Sequence, residues 1–141
     1  MLRNILSIVI GTILGIIVIQ IIQILGHLIN PPPADLDITN VEAINAYIAS
    51  APAIVFVLVI VSYAIGSFVG AFTSIFVSKE KHMSHAINIG GILMGLGAIN
   101  LFTIPHPIWM IIVSLLVFLP SAYLGARVGI KVKMKNIKKD S

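Results

Sequence analysis

The chain has 141 residues, 58% of them hydrophobic and 10% charged, with a mean hydropathy of +1.08 and a formal net charge of +4. Soluble domains carry about a quarter charged residues, so this chain has too few polar side chains to coat a water-facing surface. A soluble enzyme, a disordered regulator and, despite the positive charge, a nucleic-acid-binding protein are excluded; an integral membrane protein remains.

A membrane span needs roughly 20 apolar residues. The first stretch of that length covers residues 5–29. A secretory signal has an apolar region of only about 7–15 residues and a small-x-small cleavage site. Gly26-His27-Leu28-Ile29 offers no such site, so this stretch reads as a span. Asn30-Pro31-Pro32-Pro33 then stops the helix, because proline lacks an amide hydrogen and clashes with the preceding turn. Thr39-x-x-Glu42 predicts a capping box that opens a short helix over residues 40–49. Val41, Ile44, Tyr47 and Ile48 recur there at helical spacing, as in a segment lying on the bilayer surface. Ala51-Pro52 restarts the chain as a second span over 52–77, with proline tolerated in a first turn. A third span covers 86–104 and a fourth 108–128, bent near its middle by Pro120, which frees the Leu116 carbonyl. The expected fold is an all-α bundle of four transmembrane helices in one membrane domain, with a loop and short amphipathic helix over 30–51 and a basic tail over 131–141.

Arg3, Lys79, Lys81, Arg127, Lys131, Lys133, Lys135, Lys138 and Lys139 are all of the lysines and arginines. They lie at the N-terminus, in the second connection or at the C-terminus. The first connection holds Asp35, Asp37 and Glu42, and the third is Pro105-His106-Pro107. The positive-inside rule therefore puts both termini and the second connection in the cytoplasm, with a bacterial plasma membrane as the expected location. The basic tail serves as a topology anchor and can also attract anionic lipid, at about 1 kcal/mol per charge.

Membrane helices associate by close packing, which favours a small residue every fourth position. The rows here are Ser7, Gly11 and Gly15; Ser62, Gly66, Gly70, Ser74 and Ser78; Gly91 and Gly95; and Ser121, Gly125 and Gly129. These glycines are candidates for helix packing or for a dimer interface, isologous dimers being the commonest oligomers. The first and third spans also overlay, Gly11 on Gly91, Gly15 on Gly95, Gln20 on Asn100 and Gln23 on Thr103. The second and fourth align less well, because Lys79 and Arg127 fall at different depths. Tandem duplication of a hairpin and independent origin both stay open.

Polar groups in hydrocarbon are costly and turn inward. Gln20, Gln23 and His27 share one face of the first span, opposite Ser7, Gly11 and Gly15; Asn100 and Thr103 lie roughly opposite Gly91 and Gly95. With His106 and Trp109 above them, these residues would form a neutral hydrogen-bonding site at the outer end, suited to a small polar solute or a lipid headgroup. The alternative is that the amides only bond helices together, typically at under 2 kcal/mol each. His27 and His106 also raise a histidine-ligated metal or haem, but catalytic zinc normally takes three protein ligands. His82 and His85, three residues apart, are expected to be solvated in the cytoplasmic connection, and Asp35-x-Asp37 lacks the glycine and distal glutamate of a calcium loop. Trp109 fits the interfacial aromatic belt.

There is no cysteine, so thiolate chemistry is excluded. No carboxylate lies inside a span to act as acid or base, or to couple protons as in the small multidrug exporters. The serines sit in packing rows with no histidine expected at their depth. Neither catalysis nor a cofactor is expected.

The block Tyr63-Ala64-Ile65-Gly66-Ser67-Phe68-Val69-Gly70-Ala71, followed by Ile104-Pro105-His106-Pro107-Ile108-Trp109 and Leu124-Gly125-Ala126-Arg127, resembles small uncharacterised four-helix integral membrane proteins of bacteria. The resemblance implies that fold over most of the chain and brings no activity. The reading reached is binding or passage of a small neutral or lipid-like ligand at the outer polar cluster. The alternative is a non-catalytic accessory subunit whose glycine faces form a homo-oligomer, a dimer favoured, or dock another membrane protein.

Overall fold

The computed structural model describes residues 2–78 and 83–139, without the side chains of residues 86 and 137–139. Among the described residues five helices follow one another: α1 (Leu2–Ile29), α2 (Val41–Ser50), α3 (Ala53–Val77), α4 (Ser84–Thr103) and α5 (Ile108–Lys139). Among the described residues there is no strand. α1, α3 and the Ile108–Asn136 part of α5 are long and apolar enough to cross a membrane. The apolar stretch of α4, Ile87–Thr103, is shorter. Burial along these helices runs opposite to that of a soluble bundle: Ser7, Gly11, Gly15, Ser62, Gly66, Gly70 and Ser74 are buried, while Ile5, Val9, Ile13, Ile17, Ile21 and Ile24 are exposed. Small residues admit close backbone approach, and large aliphatic ones belong against lipid tails. The chain is built as an integral membrane protein.

α1 and α3 run antiparallel and touch backbone to backbone. A Cβ on Gly11 would stand 2.5 Å from the Gly70 carbonyl oxygen, and one on Gly70 would stand 2.7 Å from that of Gly11. Gly15 and Gly66 repeat the reciprocal contact one turn on, at 2.9 and 2.7 Å. α5 runs parallel to α3, with Gly125 pressed on the Phe68 backbone and Gly129 on Phe72 and Ile75. α4 lies antiparallel to α5, Gly90 meeting Leu119 and Ala122 and Gly97 meeting Phe118. Ile89 and Leu93 of α4 reach the α1–α3 seam at Gly11 and Gly15. Tyr63 and Phe118 fill the centre, their ring centroids 4.7 Å apart.

Several expectations change. Gly91 and Gly95 pack on nothing within 4 Å; Gly90 and Gly97, a residue or two away, make the helix contacts instead. The overlay of the first and third spans therefore does not carry over to packing: a shift of one or two residues rotates the contact face by about 100–200°. α2 begins one residue later than predicted, and its cap is Asn40, whose side chain accepts from the Glu42 and Ala43 amides. Thr39 turns back instead, donating from its hydroxyl and its amide to Asp37 at 2.6 and 2.9 Å, which holds that carboxyl below its ordinary titration range. α5 continues through Pro120 and on through the basic segment.

Gly70→Ile should lower the stability of detergent-solubilised protein by about 3 kcal/mol or more, because a backbone contact cannot yield to added volume. Gly91→Ile should change it by less than about 0.5 kcal/mol. Unfolding by a graded denaturing detergent, followed by circular dichroism, reads both.

Candidate functional site

The triple proline releases the chain from α1, and the loop and α2 fold back over the end of the bundle. Tyr47 fastens this cover, its hydroxyl donating to the Asn30 carbonyl at 2.6 Å. Beneath it is a cavity of about 570 Å³, within the range of small-molecule sites. Leu36, Ile44 and Ile48 roof it, and Val55, Phe56 and Val59 of α3 wall it. Of the expected site residues, Gln23, His27, Asn100, Thr103 and His106 line this cavity. Gln20 does not; it is exposed and belongs to a second cleft of about 320 Å³, where Gln23 and Asn100 also appear. Trp109 lines neither, but packs edge-on against Phe56, a wall residue, with centroids 6.3 Å apart.

The polar groups of the cavity are partly engaged. Gln23 Nε2 donates to Ser62 Oγ at 3.3 Å, and Asn100 Nδ2 donates to Tyr63 Oη at 3.1 Å. Thr103 returns its hydroxyl to the Ile99 carbonyl, and His106 Nδ1 lies 2.7 Å from the Ile104 carbonyl. Asn30 Nδ2 is different: it is buried and has no hydrogen-bond partner. Thr12, Ser67 and Ser114 also leave buried hydroxyls unpaired, but none of these three lines the cavity. A buried unmade donor costs about 1–3 kcal/mol, and Asn30, although it lines the cavity, keeps this atom away from the open space. His27 and His106 share the lining, yet among the described residues no three His, Cys, Asp or Glu side chains come together to hold a metal. Among the described residues, no lysine, arginine, aspartate or glutamate lines the cavity.

The opposite end is closed by a polar cluster that the sequence reading missed. His85, expected to be solvated, is only 3% exposed. Its Nδ1 lies 2.8 Å from Ser74 Oγ and 3.4 Å from Ser7 Oγ, and its Nε2 lies 3.2 Å from Ser78 Oγ. Ser78 in turn donates to Asn4 Oδ1 at 3.0 Å. One tautomer suits these contacts, with Nε2–H donating to Ser78 and Nδ1 accepting from Ser74. A histidine does therefore sit at the depth of the packing-row serines. Ser74 is fully buried and neither it nor His85 lines the cavity or the cleft, so the pair ties α1, α3 and α4 together. Beside it, Arg3 Nε donates to the Val77 carbonyl at 3.0 Å, and Lys133 Nζ donates to the carbonyls of Ile75, at 2.8 Å, and Ser78. Both cations cap the carbonyl end of α3, the favourable end of its dipole. Lys133 thus turns inward, while Lys131 and Lys135 stay exposed. His82, Lys79 and Lys81 lie outside the described residues. The available signal was spacing: Asn4 with Ser7, and Ser74 with Ser78, each share a face at the end from which α4 starts.

Comparisons of this chain with protein families, curated proteins and solved structures give no match.

Tyr47→Phe should leave the bundle intact and speed amide hydrogen exchange across α2 about fivefold, the equivalent of one net hydrogen bond of about 1 kcal/mol. His85→Leu should cost about 1–3 kcal/mol by leaving buried hydroxyls unpaired, measured by the same denaturing-detergent titration, with α2 exchange unchanged.

Proposed function

We propose that this protein is a four-span membrane protein, both termini cytoplasmic, that binds a small neutral or lipid-like molecule in the cavity under α2. The observation that carries the reading is the covered cavity, apolar for the most part and lined by the neutral amides Gln23, Asn30 and Asn100. Small-molecule sites are mostly apolar, with a few placed polar groups, and this lining follows that pattern. The cavity's walls are helices, and its cover hangs on one tyrosine hydrogen bond, so the cover is the element that moves when a ligand passes. On this orientation, drawn from the basic residues, α2 covers the outer end. The chain acts without catalysis or cofactor, and its exposed Lys131 and Lys135 meet anionic lipid on the inner side.

A second reading has its own observation. Gly11, Gly15, Gly66, Gly70, Gly125 and Gly129 are occupied within the chain, whereas Gly91 and Gly95 face open space. An accessory or self-associating subunit would use that free face of α4 against a second copy or another membrane protein.

Native mass spectrometry from mild detergent tests both. On the first reading, a retained small molecule is seen, and its occupancy falls at least tenfold when Gln23→Leu and Asn100→Leu are combined. Bare protein in both samples overturns it. On the second, Gly91→Ile with Gly95→Ile converts a dimer to monomer and leaves any retained mass in place.

A further inference from the structure

The second cleft bears on how a ligand arrives. α1 and α4 meet at Ser7 with His85, at Gly11 with Ile89 and at Gly15 with Leu93. Beyond that level, towards α2, the cleft of about 320 Å³ separates them, lined by Ile16, Ile19, Gln20, Leu93 and Leu96 with Tyr63 at the back. Gln20 and Leu96 are exposed at its edge. Its far end is formed by Gln23 and Asn100, which also line the cavity under α2. The two spaces share those amides as a common threshold. The cleft therefore opens on the flank of apolar helices, and the cavity lies under the α2 cover.

We propose that the ligand is an uncharged amphipathic lipid of the glyceride kind, which enters sideways from the bilayer between α1 and α4. Its chain lies in the cleft, and its hydroxyl and ester groups lie at the threshold and in the cavity. This inference rests on the cavity being a binding site. Three features select the ligand class. Among the described residues neither space is lined by a lysine, arginine, aspartate or glutamate, so a phosphate or ammonium headgroup would be buried without a partner. Every lysine and arginine falls in residues 3, 79, 81 and 127–139, away from the residues that line the two spaces. The hydrogen-bonding groups at the threshold are neutral amides: Gln23 and Asn100 each donate once, to Ser62 and Tyr63, which leaves each amide a second N–H and its carbonyl oxygen as further donor and acceptor. An ester carbonyl suits the donors and a free hydroxyl the acceptors. A water-soluble polar solute would not need the apolar cleft, and an alkane would not use the amides.

The test is photo-crosslinking of the full chain in phosphatidylcholine vesicles. The probe is a diacylglycerol carrying a diazirine in one acyl chain; a phosphatidylglycerol with the same chain is the comparison. The expected result is labelling of residues 16–23 and 93–100 at least fivefold stronger with the diacylglycerol, removed by excess unlabelled diacylglycerol. Leu96→Trp and, separately, Gln20→Trp place bulk at the exposed edge, where folding tolerates it, and each should reduce that labelling at least fivefold. Equal labelling by the two lipids, or labelling insensitive to both substitutions, overturns the proposal. If the cleft is unlabelled while native mass spectrometry still finds an Asn100-dependent retained molecule, lateral access by a glyceride is wrong and the cavity reading stands. If neither signal is present, both fail.

Discussion

Backbone contact between α1 and α3 governs the arrangement of the whole chain. Inside a bilayer, helices gain nothing from leaving lipid tails for one another's aliphatic side chains, so association depends on how closely they approach. At Gly11 with Gly70, and at Gly15 with Gly66, the approach leaves no space for a Cβ on either side. That seam sets the level at which Ile89 and Leu93 of α4 rest on it, and it brings Ser7 of α1 beside Ser74 of α3. The polar cluster around His85 forms where these helices converge. The cleft forms where α1 and α4 no longer touch.

The two ends of the molecule consequently differ. One is sealed: a buried imidazole, serines from two helices, an asparagine, and two cations on the last carbonyls of α3. Polar groups bonded to one another at that depth cost little and resist separation. The other end is hollow, because the chain between α1 and α3 crosses over the top rather than filling the space below it. Its cover has one long-range hydrogen bond from Tyr47, and no residue of α2 is fully buried. Regions with few buried contacts are those that open at low free energy, which suits a binding site beneath them. The end with the basic residues is thus held by polar contacts among buried groups, whereas the hollow end is covered by a segment with few buried contacts.

Much of the fold was legible in the sequence. α1, α3 and α4 lie within a few residues of their expected limits, because spanning length and proline punctuation are local properties, whereas α5 runs on past residue 128 through the basic segment to Lys139. The glycine rows of α1, α3 and α5 were legible for the same reason, since small residues four apart occupy one face whatever the partner. Gln23, His27, Asn100, Thr103 and His106 line one cavity, but Gln20, predicted on the same face of α1, lies at the exposed edge of the second cleft, and Trp109 lines neither space.

What the tertiary structure alone decided concerns choices between neighbouring faces. Gly90 and Gly97, rather than Gly91 and Gly95, meet α5, because the rotation of α4 about its axis is set by where Ile89 and Leu93 fit the α1–α3 seam, a long-range condition that no period reveals. His85 and Lys133 look like connection and tail residues by position, yet both are drawn into the sealed end by groups from other helices. Asn40 displaces Thr39 as the cap of α2 because Asp37 captures the threonine hydroxyl. Composition and spacing by themselves determine that the chain is helical and built for a membrane; which side chains meet depends on rotations of about 100° per residue, and only packed helices fix those.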